Sequence, residues 1–363
     1  MLDQLGDIAA ACDLTIAAEH RLPVAIVGAG TIVDVAHLPV YRRAGLEVTG
    51  VYDRDAARAA EVAARHGVRT YDSLEQLLDD PDPQVVDIAV LPAAQPEIAR
   101  RAAAAGKHVL CQKPLAPTAA EAAALCGDVR DVKLAVNQQL RFDEGIMAAK
   151  AIIEQGWIGT PTAATFSVDI LTDWGVWPWL VTSPKLEILF HSIHYLDALR
   201  YLLGEPNVVF CAAGRRPGQE AAGETRTAST LLFDDGVIGL VHSNHENLGE
   251  DRRAEWRIDG SEGSVRGTLG LLYDYPRGRP DTLEVFSRTL PTDGWLPYPV
   301  TTRWIPDAFA GPIGSLLRAI HDGGDPLTSG VDNVRTLALA EALYRSVDER
   351  AAQVPEVPAV LCA

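Results

Sequence analysis

Short apolar segments alternate with helix-forming segments in the N-terminal part of the chain, and this alternation restricts the fold more than any other feature. The apolar segments cover residues 24–27, 85–91, 108–111 and 133–136. Ala-rich stretches such as PEIARRAAAAG and AAEAAALCGDV separate them. Strands that alternate with helices form a parallel sheet covered by helices on both faces. The sequence therefore predicts an N-terminal, doubly wound α/β domain.

The first apolar segment leads into a glycine turn and a helical pattern, and EVTGVYD then supplies a second strand that ends at Asp53. This is the order of a dinucleotide-binding βαβ unit. Gly28 would allow the tight turn, and Gly30 would let the backbone approach a pyrophosphate. The amides at the helix start, around Thr31 and Ile32, would face that anion. A turn before a helix, without any ligand, is the alternative.

The same unit carries the signals for cofactor choice. Asp53 would accept hydrogen bonds from the ribose hydroxyls and repel a 2'-phosphate, which favours NAD over NADP. Arg54 is the counterargument, because it could pair with that phosphate, although it could also stack on adenine. Val33 stands where the third glycine of the motif is expected, and we expect it to push the helix slightly off the strand.

Ligands of doubly wound sheets bind outside the carboxyl ends of the strands. Leu91, Pro92, Lys113 and Asn137 all fall at such ends, and Gln95 follows in the next helix. Lysine is among the residues least often buried. A lysine directly after a core strand therefore either extends to solvent or points into a cleft.

Four stretches occur together in one order: GAGTIVDVAHLPVY, CQKPLA, HSIHYLDALRYLLG and PDAFAGPIGSLLRAI followed by PLTSGVDNVRTLALAEALYRS. Through them, residues 23–347 resemble the Gfo/Idh/MocA family, the glucose-fructose oxidoreductases and inositol dehydrogenases. The resemblance implies a Rossmann domain with a nicotinamide cofactor. It also implies a C-terminal α+β domain whose open, mostly antiparallel sheet supports a homodimer or homotetramer. Substrates in the family are mostly sugars, cyclitols and related polyols.

The resemblance also implies roles for CQKPLA. Lys113 matches the lysine of the family's Glu-Lys-Pro motif, which lies between nicotinamide and substrate and bonds the reacting oxygen. Gln112 replaces the glutamate, so it can bond the cofactor ribose or carboxamide but carries no charge. Pro114 would fix the turn.

In the later stretch, His194 and Asp197 match the family's His-x-x-Asp, with His194 in the place of the proton acceptor. Read as a helix over residues 189–203, the sequence puts both on one stripe with Phe190 and Tyr201. Phe190 stands where the family often has an aspartate. Either His191 or Asp197 would then orient His194, or His194 would be less basic. A buried, purely structural histidine is the alternative.

Other substrate-binding candidates are aromatic or polar. Trp174 and Trp177, with Trp179 nearby, could stack on the apolar face of a sugar ring, or they could be ordinary core residues. Asn137 and Arg141 match positions that, in the family that the chain resembles, usually reach the substrate cleft. Arg141 could equally form a structural ion pair.

Composition excludes several partners. The chain of 363 residues has 32 Lys and Arg against 49 Asp and Glu, a net charge of -17, which repels nucleic acids and anionic membranes. Its five cysteines are scattered and include no C-x-x-C pair, so no disulfide framework or zinc site is indicated. We predict a cytoplasmic protein. Residues 244–247, NHEN, are read as polar residues of a sheet edge, and no metal site is predicted.

These observations predict an extension over residues 1–22, a Rossmann domain over 23–142, a substrate-binding and oligomerisation domain over 143–349 and an extended tail over 350–363. The last helix of the substrate-binding domain could pack on the Rossmann domain. Strands of the predicted substrate-binding domain are expected near residues 163–169, 208–213, 228–233, 237–243, 255–259 and 263–267. The predicted activity is NAD-dependent oxidation of a secondary alcohol on a sugar, cyclitol or polyol. An NAD-dependent glycosidase and a non-catalytic ligand sensor are the alternatives. In a sensor, Gln112, Phe190 and Val33 would be signs of lost catalysis.

Overall fold

A computed structural model describes residues 2–273, 275, 278–291 and 293–358, with the backbone alone at residues 2–4. Cys362 and the other last residues of the predicted tail lie outside the described residues. The chain divides into two compact units. The first unit contains Leu14–Phe142 and Ile305–Arg335, and the second contains Asp143–Trp304, Thr336–Glu356 and the segment before Leu14.

The elements are numbered along the chain. The α-helices are α1 (Leu2–Ala11), α2 (Leu38–Arg43), α3 (Ala56–His66), α4 (Leu74–Asp79), α5 (Gln95–Ala104), α6 (Ala119–Asp128), α7 (Glu144–Glu154), α8 (Pro178–Val181), α9 (Ile193–Leu203), α10 (Ala310–Asp322) and α11 (Gly330–Glu349). The strands are β1 (Val24–Val27), β2 (Val48–Tyr52), β3 (Val85–Ile88), β4 (His108–Gln112), β5 (Leu134–Asn137), β6 (Pro161–Asp169), β7 (Val208–Gly214), β8 (Arg226–Leu232), β9 (Ile238–Asn244), β10 (Arg253–Gly260), β11 (Gly263–Thr268), β12 (Leu283–Ser287) and β13 (Leu296–Tyr298). None of the helices in the described part of the chain is long and apolar enough to cross a membrane.

In the first unit, five parallel strands form one sheet in the order β2-β1-β3-β4-β5. This confirms the predicted doubly wound α/β domain. Every residue of β1, β3 and β5 is buried, as expected for strands covered on both faces. Asp55, Ser73 and Thr118 cap the starts of α3, α4 and α6 by accepting hydrogen bonds from backbone amides, so each helix begins directly after its turn.

The helix after β1 begins irregularly. Residues Val33–His37 form a π-helical turn that continues into α2. Val33, at the position of the expected third glycine, is fully buried in the core of this unit beside residues of β1 and α10. The valine is thus accommodated by the core, in a turn wider than an α-helical one.

In the second unit, eight strands form a mostly antiparallel sheet in the order β13-β12-β11-β10-β6-β9-β8-β7. Only the β6–β9 pair is parallel among its described strands. Burial alternates along β9 and β10, so one face is buried and the other is exposed. The six predicted strands are all present. Two further short strands at one edge of the sheet, β12 and β13, were not predicted.

The predicted helix over residues 189–203 needs a correction. Its α-helical part begins only at Ile193, and residues Ile188–Ser192 form a second π-helical turn. A π-helical turn contains an extra residue, so Phe190 is not related to His194 by regular α-helical spacing. Phe190 packs instead against the cluster of Trp174, Leu180 and Leu186.

Candidate active site

The glycine turn after β1 is tightly built. Gly28 has a φ of 107°, and its amide donates to the carbonyl of Tyr52 over 2.7 Å. A Cβ atom at this position would lie 2.3 Å from the carbonyl oxygen of Ala89. Only glycine satisfies both conditions, because it alone adopts this φ readily and has no Cβ.

Gly30 meets a different condition. A Cβ atom built there would have no neighbour within 4 Å, so the space beside the first helical turn is open. Thr31 is exposed and Ile32 half-buried at the start of that turn. Open space beside a glycine at a helix start fits the approach of a dinucleotide phosphate.

Asp53, at the end of β2, holds the glycine turn in place. Its Oδ2 accepts from the amide of Ala29 over 2.7 Å, and its Oδ1 accepts from the amide of Asp55 over 2.9 Å. Each carboxylate oxygen can accept a second hydrogen bond, so Asp53 retains capacity for ribose hydroxyls. Arg54 beside it is exposed.

The turn after β4 carries Lys113. This side chain is half-buried, and burial lowers the pKa of its amine to about 7. The Gln112 side-chain oxygen accepts from the Lys113 amide over 2.9 Å. Gln95, fully buried, donates to the carbonyl of Pro114 over 2.8 Å, and the Lys113–Pro114 peptide bond is cis. Both glutamines thus hold the turn that presents the lysine.

Two further predicted residues follow β3. Leu91 is exposed and Pro92 is half-buried, and the carbonyl of Leu91 accepts from the amide of Ala94 over 2.9 Å. They lie in the loop between β3 and α5, which begins with Gln95. The Gln95 Oε1 is buried and has no hydrogen-bond partner among the described residues. A buried acceptor at this edge suits a polar ligand.

At the end of β5, Asn137 lies in register with Gln112 of β4. Asn137 is buried, and its Nδ2 lies 3.3 Å from the Nε2 of His37. Arg141 is also buried and pairs with Asp332 over 2.6 Å, while donating to the carbonyl of Leu327 over 3.2 Å. The ion pair that the sequence left open for Arg141 is therefore present.

A buried polar cluster in this unit was not predicted from the sequence. His37 Nδ1 lies 2.5 Å from Asp87 Oδ2, and the Tyr41 hydroxyl donates to the same oxygen over 2.8 Å. All three side chains are almost completely buried. The charged residue in the otherwise apolar strand VVDI was the available signal.

In the second unit, His194 lies in the first turn of α9. It is 6% exposed, and its ring meets the Trp304 ring edge-on at 5.2 Å between centroids. Asp197 is buried, accepts from the Thr336 hydroxyl over 2.6 Å and lies 3.6 Å from Arg200. Asp197 thus ties α9 to α11.

His191 belongs to an aromatic cluster on the π-helical turn. Its ring lies 5.1 Å from that of Trp174, 6.3 Å from that of Trp177 and 4.8 Å from that of His245. Trp174 is buried, whereas Trp177 and His191 are half-buried. Half-buried rings in a cluster offer faces on which a sugar ring can stack.

A buried carboxylate lies beneath this cluster. Glu187 accepts from the Ser192 hydroxyl over 2.5 Å and the Thr227 hydroxyl over 2.6 Å, and it lies 3.7 Å from His245 Nε2. Burial by itself would raise the pKa of Glu187, but His245 and the two hydroxyls outweigh it and hold the pKa below its ordinary value.

The pair of Glu187 and His245 was not predicted from the sequence either. His245 belongs to NHEN, which was read as polar residues of a sheet edge, but its side chain is completely buried. Its Nδ1 lies 2.8 Å from the Thr172 hydroxyl. No local sequence pattern relates Glu187 to His245, because the two residues lie far apart in the chain. Among the described residues, the one group with metal-binding spacing is His20, His321 and Asp322, away from NHEN in the sequence.

The first unit therefore has the elements of a dinucleotide-binding α/β protein: a glycine turn closed by a carboxylate, open space at a helix start and a lysine at the carboxyl edge. Comparisons with known proteins agree. Residues 22–138 match the family described as "Oxidoreductase family, NAD-binding Rossmann fold", and residues 146–266 match the "GFO/IDH/MocA C-terminal domain". The chain belongs to the GFO/IDH/MocA family of oxidoreductases, as the sequence motifs predicted.

Similar proteins cover nearly the whole chain. The inositol 2-dehydrogenase of Rhizobium meliloti is 30% identical over 346 residues, which are 90% of this chain and 96% of that protein. The D-apiose dehydrogenase of Paraburkholderia graminis is 29% identical over 347 residues, 91% of this chain and 88% of that protein. An oxidoreductase from Agrobacterium radiobacter, solved with NAD+, L-tartaric acid and magnesium, superimposes with a TM-score of 0.81 at 25% identity, over 92% of this chain and 98% of that one.

Proposed function

We propose that this chain catalyses the NAD-dependent, reversible oxidation of a secondary alcohol on a sugar, cyclitol or related polyol. The observation that carries the proposal is Lys113, a lysine at the carboxyl edge of a dinucleotide-binding sheet whose pKa is lowered to about 7 by burial. Perturbed lysines in such positions are typical of catalytic sites. The relatives named inositol 2-dehydrogenase and D-apiose dehydrogenase support the substrate class.

In this proposal, two side chains act on the alcohol. Lys113 bonds and polarises the carbinol oxygen, and His194 takes the hydroxyl proton. Bound NAD would supply the acceptor for the hydride of the carbinol carbon. A histidine suits the proton transfer, since an unperturbed imidazole has a pKa of about 6.5 and gains or loses its proton near neutrality.

We propose NAD rather than NADP as the cofactor. The carboxylate of Asp53 is held by two backbone amides at the glycine turn, so a 2'-phosphate would meet a fixed negative charge there. Gly28, Gly30, Thr31 and Ile32 would hold the pyrophosphate, and Leu91, Pro92, Gln95 and Gln112 would line the nicotinamide side. Titration that showed tighter binding of NADP than of NAD would overturn the preference.

We propose three further contacts with the substrate. Asn137 would bond a hydroxyl, and the half-buried rings of Trp177 and His191 would contact the ring face. Trp174, Arg141 and Asp197 were predicted as substrate contacts too. Trp174 packs in an apolar cluster, Arg141 forms an ion pair with Asp332, and Asp197 accepts a hydrogen bond from Thr336. These contacts favour a structural role for each of the three residues.

We also propose a homodimer or homotetramer formed through the open face of the eight-stranded sheet. Phe210, Leu232, Ile238 and Leu240 are exposed apolar residues on β7, β8 and β9. Leu232 and Ile238 are cross-strand partners, so they form a continuous patch. Sedimentation of the wild type and of Leu240→Glu tests this, and a monomeric wild type would exclude it.

The four described cysteines are free, which agrees with the proposed cytoplasmic location.

The activity is tested with a panel of sugars, cyclitols and sugar acids, in which the reduction of NAD and NADP is followed by absorbance. We expect Lys113→Ala to bind NAD normally and to lose about 100-fold to 10,000-fold in turnover. The matched control is Lys133→Ala, because Lys133 lies before the amino end of β5, whereas Lys113 lies after the carboxyl end of β4 in the same sheet. A loss below about tenfold in Lys113→Ala would assign the lysine a structural role.

The same panel separates the alternatives. A glycosidase that oxidises its sugar only transiently would release an aglycone without net reduction of NAD. A ligand sensor would bind a sugar without turnover of any kind. Either result would replace the dehydrogenase assignment.

A further inference from the structure

The buried cluster in the first unit links a carboxylate to Asn137 through one imidazole ring. His37 contacts Asp87 through Nδ1, at 2.5 Å, and Asn137 through Nε2, at 3.3 Å. The ring is completely buried, and the rings of Tyr41 and Phe309 lie 5.9 Å and 5.0 Å from it. Both nitrogens of His37 therefore have defined partners within a packed core.

These contacts select one tautomer. The Asp87 carboxylate can only accept, so Nδ1 carries a proton. In the neutral ring, Nε2 is then an acceptor and receives a hydrogen bond from the Asn137 amide nitrogen. The amide oxygen of Asn137 consequently points away from His37.

That oxygen lies at the edge where ligands bind. Asn137 is the last residue of β5 and is in register with Gln112, the residue before Lys113. Its Oδ1 is buried and has no hydrogen-bond partner among the described residues, and the same is true of both amide atoms of Gln138. Buried acceptors without a partner are uncommon and often mark the place of a ligand.

We propose that His37, held by Asp87, is a positioning residue that fixes the Asn137 amide with its oxygen available to accept a hydrogen bond from a substrate hydroxyl. The inference rests on the proposed dehydrogenase function and deepens it, because it adds a specificity element for polyhydroxylated substrates. A flipped amide would present a donor instead. The hydroxyl could then no longer donate to Asn137, and His37 would face a carbonyl oxygen that its neutral Nε2 cannot bond.

A double-mutant cycle tests the coupling. We expect His37→Phe and Asn137→Ala each to lower kcat/KM for the substrate about tenfold, mainly through KM, because one oriented hydrogen bond is at stake. The double variant should lose no more than either single variant. Losses that multiply, to about 100-fold, would show that His37 does not act through Asn137 and would overturn the inference.

Two variants distinguish positioning from general damage. His37→Gln retains an acceptor near the position of Nε2, so we expect it to restore kcat/KM to within about threefold of the wild type. Tyr41→Phe removes a bond to the same Asp87 oxygen without touching Asn137, and it should lower the unfolding midpoint while leaving KM unchanged. Equal losses in His37→Gln and His37→Phe, or an altered KM in Tyr41→Phe, would contradict the proposal.

Nitrogen-15 NMR of the His37 ring decides the tautomer without reference to activity. We expect the ring to carry a proton on Nδ1 and none on Nε2. A ring protonated on Nε2, alone or together with Nδ1, would overturn the inference even in a fully active enzyme. A wild type without turnover on the panel would refute the dehydrogenase function, and the NMR result would still show whether His37 fixes the amide.

Discussion

Each unit carries a histidine on a π-helical turn near a buried carboxylate, but the two histidines are held differently. His37 is completely buried and has directional bonds at both nitrogens, to Asp87 and Asn137. His191 is half-buried and is packed against the rings of three neighbours. Glu187, four residues before it, accepts hydrogen bonds from the Ser192 and Thr227 hydroxyls.

The difference shows how one residue type serves two purposes. Directional bonds in a low-dielectric interior fix a single tautomer and orientation, which suits positioning. Ring contacts have weaker directional requirements and leave part of the imidazole accessible, which suits contact with a ligand. π-helical turns are frequent at functional sites, and here they accompany both arrangements.

The largest effect is expected from removing His194, the proposed proton acceptor, which follows His191 in the same helical segment. His194 lies on the α-helical part of α9, and we expect His194→Ala to lower kcat about 100-fold to 10,000-fold, as loss of a general base does. NAD binding should be unchanged, which fluorescence titration measures. Near-normal turnover would mean that the proton leaves by another route, with His191 as the next candidate.

A second test compares the stability that depends on the buried Asp87. In Asp87→Ala, His37 and Tyr41 each lose an acceptor in the core, and a stranded buried donor costs about 1–3 kcal/mol. We therefore expect the free energy of unfolding to fall by roughly 2–6 kcal/mol in urea titrations. Asp79→Ala is the control, since Asp79 is exposed, and it should change stability by less than about 0.5 kcal/mol. Similar small changes in both variants would show that the cluster contributes little.

A third test concerns the ring contacts of His191. If His191 contacts the substrate through its ring, His191→Ala should raise KM about 2-fold to 10-fold and change kcat little, because aromatic pairs contribute about 0.5–1.5 kcal/mol. His191→Phe should recover part of the loss. A fall in kcat as large as that in His194→Ala would instead identify His191 as the partner that orients the proton acceptor.

A fourth test is the pH dependence of the stability that Glu187 contributes. Its pKa is lowered in the folded protein from an ordinary value of 4.5, so its ionisation stabilises the fold above about pH 4.5, and this contribution disappears as the pH falls through the lower, folded value. Glu187→Gln should therefore be less stable than the wild type at pH 7, by about 1–3 kcal/mol. The gap should narrow below pH 4.5, as urea unfolding at pH 7, 5 and 3 measures. A gap that is constant over this range would contradict the ionised, hydrogen-bonded Glu187.

Local sequence patterns predicted the sheet of the first unit well. β1 and β4 are compact apolar segments between turn signals, and their boundaries differ from the structure by at most one residue. β12 and β13 were missed because they are only five and three residues long, and so few residues show little of the period-2 alternation that identifies a strand. The start of α9 was misplaced because Ile188–Ser192 is helical but π-helical, and the two kinds of turn differ in hydrogen-bond spacing, which residue type alone does not indicate.

The sequence by itself determined the parallel sheet of an α/β domain, the glycine turn with Asp53, the position of Lys113 at a strand end and the family. Each of these follows from residues close together in the chain, where spacing and residue type restrict the backbone directly. The tertiary structure alone decided that His37 bonds Asp87 fifty positions away, that His245 lies against His191 and that Arg141 pairs with Asp332. Such pairs depend on which buried polar groups packing brings within hydrogen-bond distance, and no local pattern encodes that distance.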